Sequence, residues 1–305
     1  MNMLDRLAPL VERPAPPATS EAESPEAATL AGRYHLERAL GCGGMGTVHE
    51  ATDTALGRKV AVKLIREDLL GSRDAAERFR REAQAVAAFS HPNVVTIFDF
   101  GVDAGGRAFL VMELLDGEDL GDALRRDGRF SPSRTLEVLR GVCAAVDAAH
   151  RRRLVHRDIK PANVFLARGE AGEVPKVLDF GVAKFLPGPE GPEAETATRA
   201  LVGTPRYMAP EQIAGGRPRP SWDVWALAVM AYEMLIGAHP FEGSGTERAA
   251  SLLAGRFASP ERHHPGAPPS WQAFFARALA PDAAHRPGSA GSLLASLAEA
   301  LHESP

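Results

Sequence analysis

The chain has 305 residues, of which 45% are hydrophobic and 24% charged, and a formal net charge of −4. That length suits one large or two-lobed domain with short tails. The mild acidity offers no footing for a nucleic-acid or membrane-surface partner, and the triplet Arg151, Arg152, Arg153 is short enough to be a solvated helix end. Cys42 and Cys143 lie too far apart to form a disulfide framework, which favours a reducing compartment and predicts a cytoplasmic location. No apolar run reaches the ~18 residues of a membrane span, and no basic start leads into an apolar stretch, so no membrane segment or secretory signal is expected.

In chain order, residues 1–32 are rich in Pro, Ala and Glu and lack periodicity; they are expected to be a flexible tail, with a regulatory segment as the alternative. Strands are predicted at Tyr34–Leu40, Thr47–Ala51 and Lys59–Ile65, the last rich in β-branched residues. Helical spacing over Ser72–Phe89 puts Phe79, Ala83, Val86 and Ala87 on one face. Val94–Phe100 and Ala108–Met112 complete five strands. Ser131-Pro132 reads as an N-cap and first helical position, followed by the apolar face Leu136, Leu139, Val142, Val146. Val224–Leu235 is apolar on nearly every side and predicts a buried central helix. Ser270–Leu279 and Gly291–Leu301 close the domain. A small β lobe joined to a larger α lobe leaves a cleft suited to a ligand.

Four motifs carry chemistry. Gly41, Gly43 and Gly46 form G-x-G-x-x-G in LGCGGMGTV, a spacing shared by dinucleotide folds and simple hairpins. Here it lies between two strands rather than before a helix, which favours a flap over phosphates. Lys63 ends the apolar strand VAVK, and the following helix offers Glu82 as its ion-pair partner. The run HRDIKPAN, His156 to Asn163, supplies Asp158 to orient a hydroxyl and accept its proton, Lys160 to balance charge on a transferred phosphoryl group, and Asn163 to hold Mg²⁺. Asp179, Phe180 and Gly181 form DFG, with Asp179 a second metal ligand, and APE follows at Ala209, Pro210 and Glu211.

Together these motifs, with HPNVV at His91–Val95 and LVMELLDGEDL at Leu110–Leu120, resemble the protein kinase superfamily, and within it the eukaryotic-like serine/threonine kinases of bacteria. The resemblance covers about residues 34–301. It implies an α+β bilobal kinase fold: a small antiparallel lobe (about 34–112) of five strands and one main helix, a hinge (113–117) and a mostly helical large lobe (about 118–301), with 302–305 as a tail. It implies ATP with Mg²⁺, or Mn²⁺ in its place, and Ser/Thr hydroxyls of proteins as substrates. Leu40, Gly41, Cys42, Gly43, Gly44, Met45, Gly46, Thr47, Val48, Ala61 and Met112 would enclose the nucleotide with Lys63 and Glu82. Glu113 and Leu115 would offer backbone groups to adenine, and Asp119 would lie near the ribose.

Asp223 would brace the catalytic loop, and Glu211 would pair with Arg286. Arg157 before Asp158 implies activation by a phosphate in the segment between DFG and APE, with Thr196 and Thr198 as self-phosphorylated positions. Thr204 in GTPRYMAPE would touch Asp158 and Lys160, as in kinases specific for Ser and Thr. Many relatives dimerise through the back of the small lobe, so a homodimer is an expectation here, and many carry a membrane helix and sensor behind the kinase domain, whereas this chain stops at Pro305. Cys42 is unusual at its loop position; a redox role and a merely tolerated small side chain are both readings of it. Two competitors are a pseudokinase scaffold, against which stand Lys63, Asp158 and Asp179, and a small-molecule phosphotransferase, against which stand the APE segment and Arg286.

Overall fold

The computed structural model describes residues 29–44, 46–66, 73–103, 105–170, 172–180, 205–243 and 245–302, except the side chains of 73–76, 78, 82, 205, 245 and 246. Residues 1–28, Met45, Gly181, Thr196, Thr198, Thr204 and the Glu82 side chain therefore lie outside the described residues.

The small lobe is an antiparallel sheet in the order β1-β2-β3-β4-β6-β5, built from β1 (Thr29–Leu30), β2 (Tyr34–Gly43), β3 (Gly46–Asp53), β4 (Arg58–Ile65), β5 (Ile97–Val102) and β6 (Ala108–Met112), with α1 (Arg73–Ala87) inserted after β4. The five expected strands form, and a sixth is added: Thr29 and Leu30, assigned by sequence to the tail, pair with His35 and Tyr34. Leu30 drives this, being 1% exposed in an apolar cluster with Tyr34, Leu36, Val60, Val62 and Val111. A second correction concerns Val94–Phe100. The strand begins only at Ile97, because Val94 and Val95 turn away: Val95 N–H donates to Val177 O, and Val177 N–H to Asn93 O. The apolar run is thus divided between two sheets.

The large lobe carries β7 (Gly117–Asp119), α2 (Leu120–Asp127), α3 (Pro132–Arg151), β8 (Val164–Gly169) and β9 (Gly172–Val177), then α4 (Pro210–Ile213), α5 (Pro220–Ile236), α6 (Gly245–Leu253), α7 (Pro260–His263), α8 (Pro269–Ala278) and α9 (Ala290–His302). β7, β8 and β9 form a second antiparallel sheet under the cleft. Ser131 Oγ accepts from Arg134 N–H and Pro132 follows at the first turn, so α3 starts where its cap predicts. α5 is buried on all sides from Val224 to Tyr232 and ends at Gly237, whose positive φ of 75° forms the C-terminal cap. One continuous apolar core runs from Phe79 and Val86 of α1 through Phe180 to α3, α5, α8 and α9, so the lobes share packing rather than merely a tether. Among the described residues no helix is long and apolar enough to cross a membrane.

Candidate active site

Two strands bring the roof. Val48 and Lys63 face each other across β3–β4, Lys63 faces Leu110 across β4–β6, and Ala61 faces Met112. Alternation along β4 then puts Ala61 and Lys63 on one face. The hairpin tip above them joins Gly43 to Gly46. Gly46 is glycine for an internal reason: its φ is 146°, and a Cβ there would sit 1.8 Å from Leu64 O. Gly41 and Gly43 have no such reason; a Cβ at either would meet nothing within 4 Å.

Lys63 is 7% exposed, and its Nζ donates to Asp179 Oδ2 at 2.5 Å, which links the roof to the floor. Burial would raise the Asp179 carboxyl, but the charge and hydrogen bond of Lys63 outweigh it and hold it below its ordinary value. Asp179 sits at φ 52°, an uncommon conformation for a non-glycine residue. Phe180 next to it is buried against Phe89 (ring centroids 5.6 Å apart) and His156 (4.7 Å), which anchors the turn.

The floor is a knot of hydrogen bonds around Asp158. Lys160 Nζ donates to Asp158 Oδ2 (2.9 Å), and Asn163 Nδ2 donates to Asp158 O (2.7 Å) and Oδ2 (3.1 Å). Pro161 opens the short 3-10 turn that brings Asn163 back to this position. Asn163 O in turn accepts from Leu178 N–H (2.9 Å), which ties Asp158's loop to the residue before Asp179. Because the Asn163 amide nitrogen is committed to Asp158, its side-chain oxygen is the atom left for a cation.

Beneath lies Asp223 of α5, 1% exposed. It accepts from His156 N–H (2.8 Å), Arg157 N–H (2.8 Å) and His150 Nε2 (2.7 Å). Three donors satisfy a carboxylate that burial would otherwise penalise. Arg157 adopts φ 68°, so the loop is bent to reach Asp223. His156 is fully buried and held neutral by burial. Its Nε2 donates to Leu178 O (2.8 Å) and its Nδ1 receives Asp158 N–H (3.3 Å), so one ring joins both halves of the floor.

At the hinge, Glu113 N–H donates to Thr96 O (3.0 Å). The Glu113 carboxylate accepts from Thr96 N–H and Lys176 Nζ, both at 2.7 Å. Of the Glu113 polar groups, this leaves the carbonyl. Asp119 pairs with Phe165 across β7–β8 and caps α2 through Asp122 N–H (2.9 Å). Glu211 and Arg286 meet in a bidentate pair with both bonds 2.8 Å long. Arg286 also donates to the carbonyls of Ala280, Pro281 and Ser221 and lies against Trp225, so all its donors are used.

Sequence alone assigns no role to His150, His156 or Lys176. His156 stands inside a motif that announces its neighbours, whereas His150 becomes visible only once α3 packs on α5. Lys176 is legible only through its distance to Glu113.

Residues 34–298 match the protein kinase domain family, and the chain belongs to it. It is 42% identical over 221 residues to serine/threonine-protein kinase PknA of Mycobacterium tuberculosis, covering 71% of this chain and 50% of that one. It is 37% identical over 284 residues to serine/threonine-protein kinase pkn2 of Myxococcus xanthus, covering 91% of this chain and 33% of that one. The chain therefore spans half or less of the length of these relatives. Among solved structures, the Mycobacterium tuberculosis PknI kinase domain matches with a TM-score of 0.70 at 26% identity, covering 90% of this chain and 98% of that one.

Proposed function

We propose that this chain is an active serine/threonine protein kinase that moves the γ-phosphoryl group of ATP onto Ser or Thr hydroxyls of proteins. The observation that carries the proposal is the convergence of Lys63, Asp158, Lys160, Asn163 and Asp179 in one hydrogen-bonded cleft. A pseudokinase scaffold would not need all five.

In this reading Asp158 accepts the proton of the attacking hydroxyl. Lys160 and Asn163 fix its Oδ2, which sets the direction from which the hydroxyl approaches. Lys63 holds nucleotide phosphate oxygens in place of Asp179, and Lys160 offsets charge on the oxygens being transferred. The Asp179 carboxylate and the Asn163 side-chain oxygen are hard oxygen donors, a set that fits Mg²⁺ shared with phosphates, and Mn²⁺ suits the same donors. A bound divalent cation would neutralise phosphate charge there. Ala61, Val48 and Met112 face the adenine, Leu40 and the Gly41–Thr47 loop cover the phosphates, the Glu113 carbonyl and Leu115 N–H read the adenine edge, and Asp119 meets the ribose. The pairing of Glu82 with Lys63, phosphorylation of Thr196 or Thr198 read by Arg157, the Thr204 contact, and a homodimer through the small lobe belong to the same proposal.

Transfer of labelled phosphate from ATP to a general protein acceptor tests it. Wild type should transfer and Asp158→Ala should fall at least about a hundredfold, with label on Ser and Thr alone. Equal label in both proteins, or label on Tyr, contradicts it.

A further inference from the structure

Outside the cleft, a knot of charged groups forms where the 3-10 turn Pro205–Tyr207 meets the second half of α5. Tyr207 Oη donates to Glu233 Oε2 (2.5 Å), and Arg206 Nη2 donates to Glu233 Oε1 (3.2 Å). His239 fixes the main chain here: its Nε2 donates to Arg206 O (2.9 Å), and its Nδ1 receives Phe241 N–H (3.1 Å). Burial pushes this ring down to about 4, so it contributes anchorage and no charge.

Two guanidiniums act on the Glu233 carboxylate, Arg206 through a hydrogen bond and Arg248 through its charge. Glu233 is sunk, its side chain 12% exposed, whereas that of Arg206 is 38% exposed. The Nε atoms of both Arg206 and Arg248 have no hydrogen-bond partner among the described residues. The Arg206 Nε is buried, so its Nη groups are what the side chain presents at the surface, one of them bonded to Glu233.

Its address gives this meaning. The turn runs within three residues into α4, whose Gln212 Nε2 donates to Arg157 O at 3.1 Å, and Arg157 precedes Asp158. The exposed Arg206 side chain is thus carried by the segment fastened beside the residue that takes the hydroxyl proton. We infer that Arg206 is a substrate-selecting residue: it binds an acidic side chain of the protein substrate close in sequence to the phosphoacceptor, with Arg248 adding charge behind it. This rests on the kinase reading above. A guanidinium fork suits a carboxylate, and a lysine or arginine at that substrate position meets repulsion.

The test uses peptides with one phosphoacceptor Ser, in which a single Asp is moved through the flanking positions of a neutral parent. Values of kcat/KM are compared for wild type, Arg206→Gln and Arg248→Gln, each checked for an unchanged melting temperature. Wild type should favour Asp over Asn at one position by about tenfold. In Arg206→Gln that ratio should fall to about one, the change appearing in KM, and a Lys peptide disfavoured by wild type should recover. Arg248→Gln should lower the same ratio by a smaller factor, and it carries the test if Arg206→Gln melts early. A flat profile in wild type, or a preference that survives in the variants, overturns this inference alone. If wild type transfers phosphate to no peptide and no protein, the kinase reading fails first and this inference with it.

Discussion

The floor of the cleft and the glycine hairpin above it are explained in opposite ways. Around Asp223 and Arg286 nearly every residue choice follows from its protein partners: three donors converge on one buried carboxylate, and one buried guanidinium has every N–H engaged. Of Gly41, Gly43 and Gly46 in the hairpin, only Gly46 is required by the fold, while Gly41 and Gly43 border open space. A residue whose identity no internal contact explains points to something outside the chain. The floor is built for its own rigidity, whereas under the proposed function the hairpin tip would admit close backbone approach by a nucleotide.

That contrast can be broken at several points. The largest effect should come from Glu211→Ala. It leaves Arg286, whose side chain is 0% exposed, as an uncompensated buried charge, at a cost of about 3–5 kcal/mol in denaturant unfolding. A loss under about 1 kcal/mol would show that the pair is not structural.

The next effect is a pH dependence. The His239 ring is pushed by burial from 6.5 to about 4 in the folded chain. Between those values the unfolded chain binds the proton and the folded chain does not. Its contribution, about 3 kcal/mol, is thus complete above pH 6.5 and lost as pH falls toward about 4. Unfolding free energies measured across that window should slope steeply in wild type and less in His239→Gln. Equal slopes would remove His239 from the account.

Smaller changes fall at the hairpin. Gly46→Ala forces a Cβ onto Leu64 O and should cost about 1–3 kcal/mol. Gly43→Ala should move stability by less than about 0.5 kcal/mol yet raise KM for ATP severalfold. Loss of stability in Gly43→Ala with unchanged KM would invert the comparison.

How much of this is legible in sequence obeys the same division. The α5 helix, the Ser131 cap, the strands around Lys63 and the motifs around Asp158 and Asp179 are stated by local pattern, because each depends on neighbours in the chain. The sixth strand at Thr29–Leu30 depends on an apolar cluster assembled from distant strands. The split of Val94–Phe100 depends on Asn93 and Val95 finding Val177, far along the chain. A strand propensity cannot announce which partner it will take. The hub role of His156, the hinge pair Lys176–Glu113 and the anchoring of Arg206 by His239 are likewise products of packing. Motifs and resemblance name the candidate reacting groups and three of their supports, Asp223, Glu211 and Arg286, while the supporting bonds of His150, His156 and Lys176 are found only in the fold.

The most direct test of the central claim is intact-mass measurement of the purified, phosphate-stripped protein after incubation with Mg-ATP, beside Asp158→Ala treated identically. Phosphate should be added to wild type alone, mapping to Thr196 or Thr198. No added mass on wild type that binds ATP and phosphorylates no other protein would contradict it, and so would equal addition to both proteins.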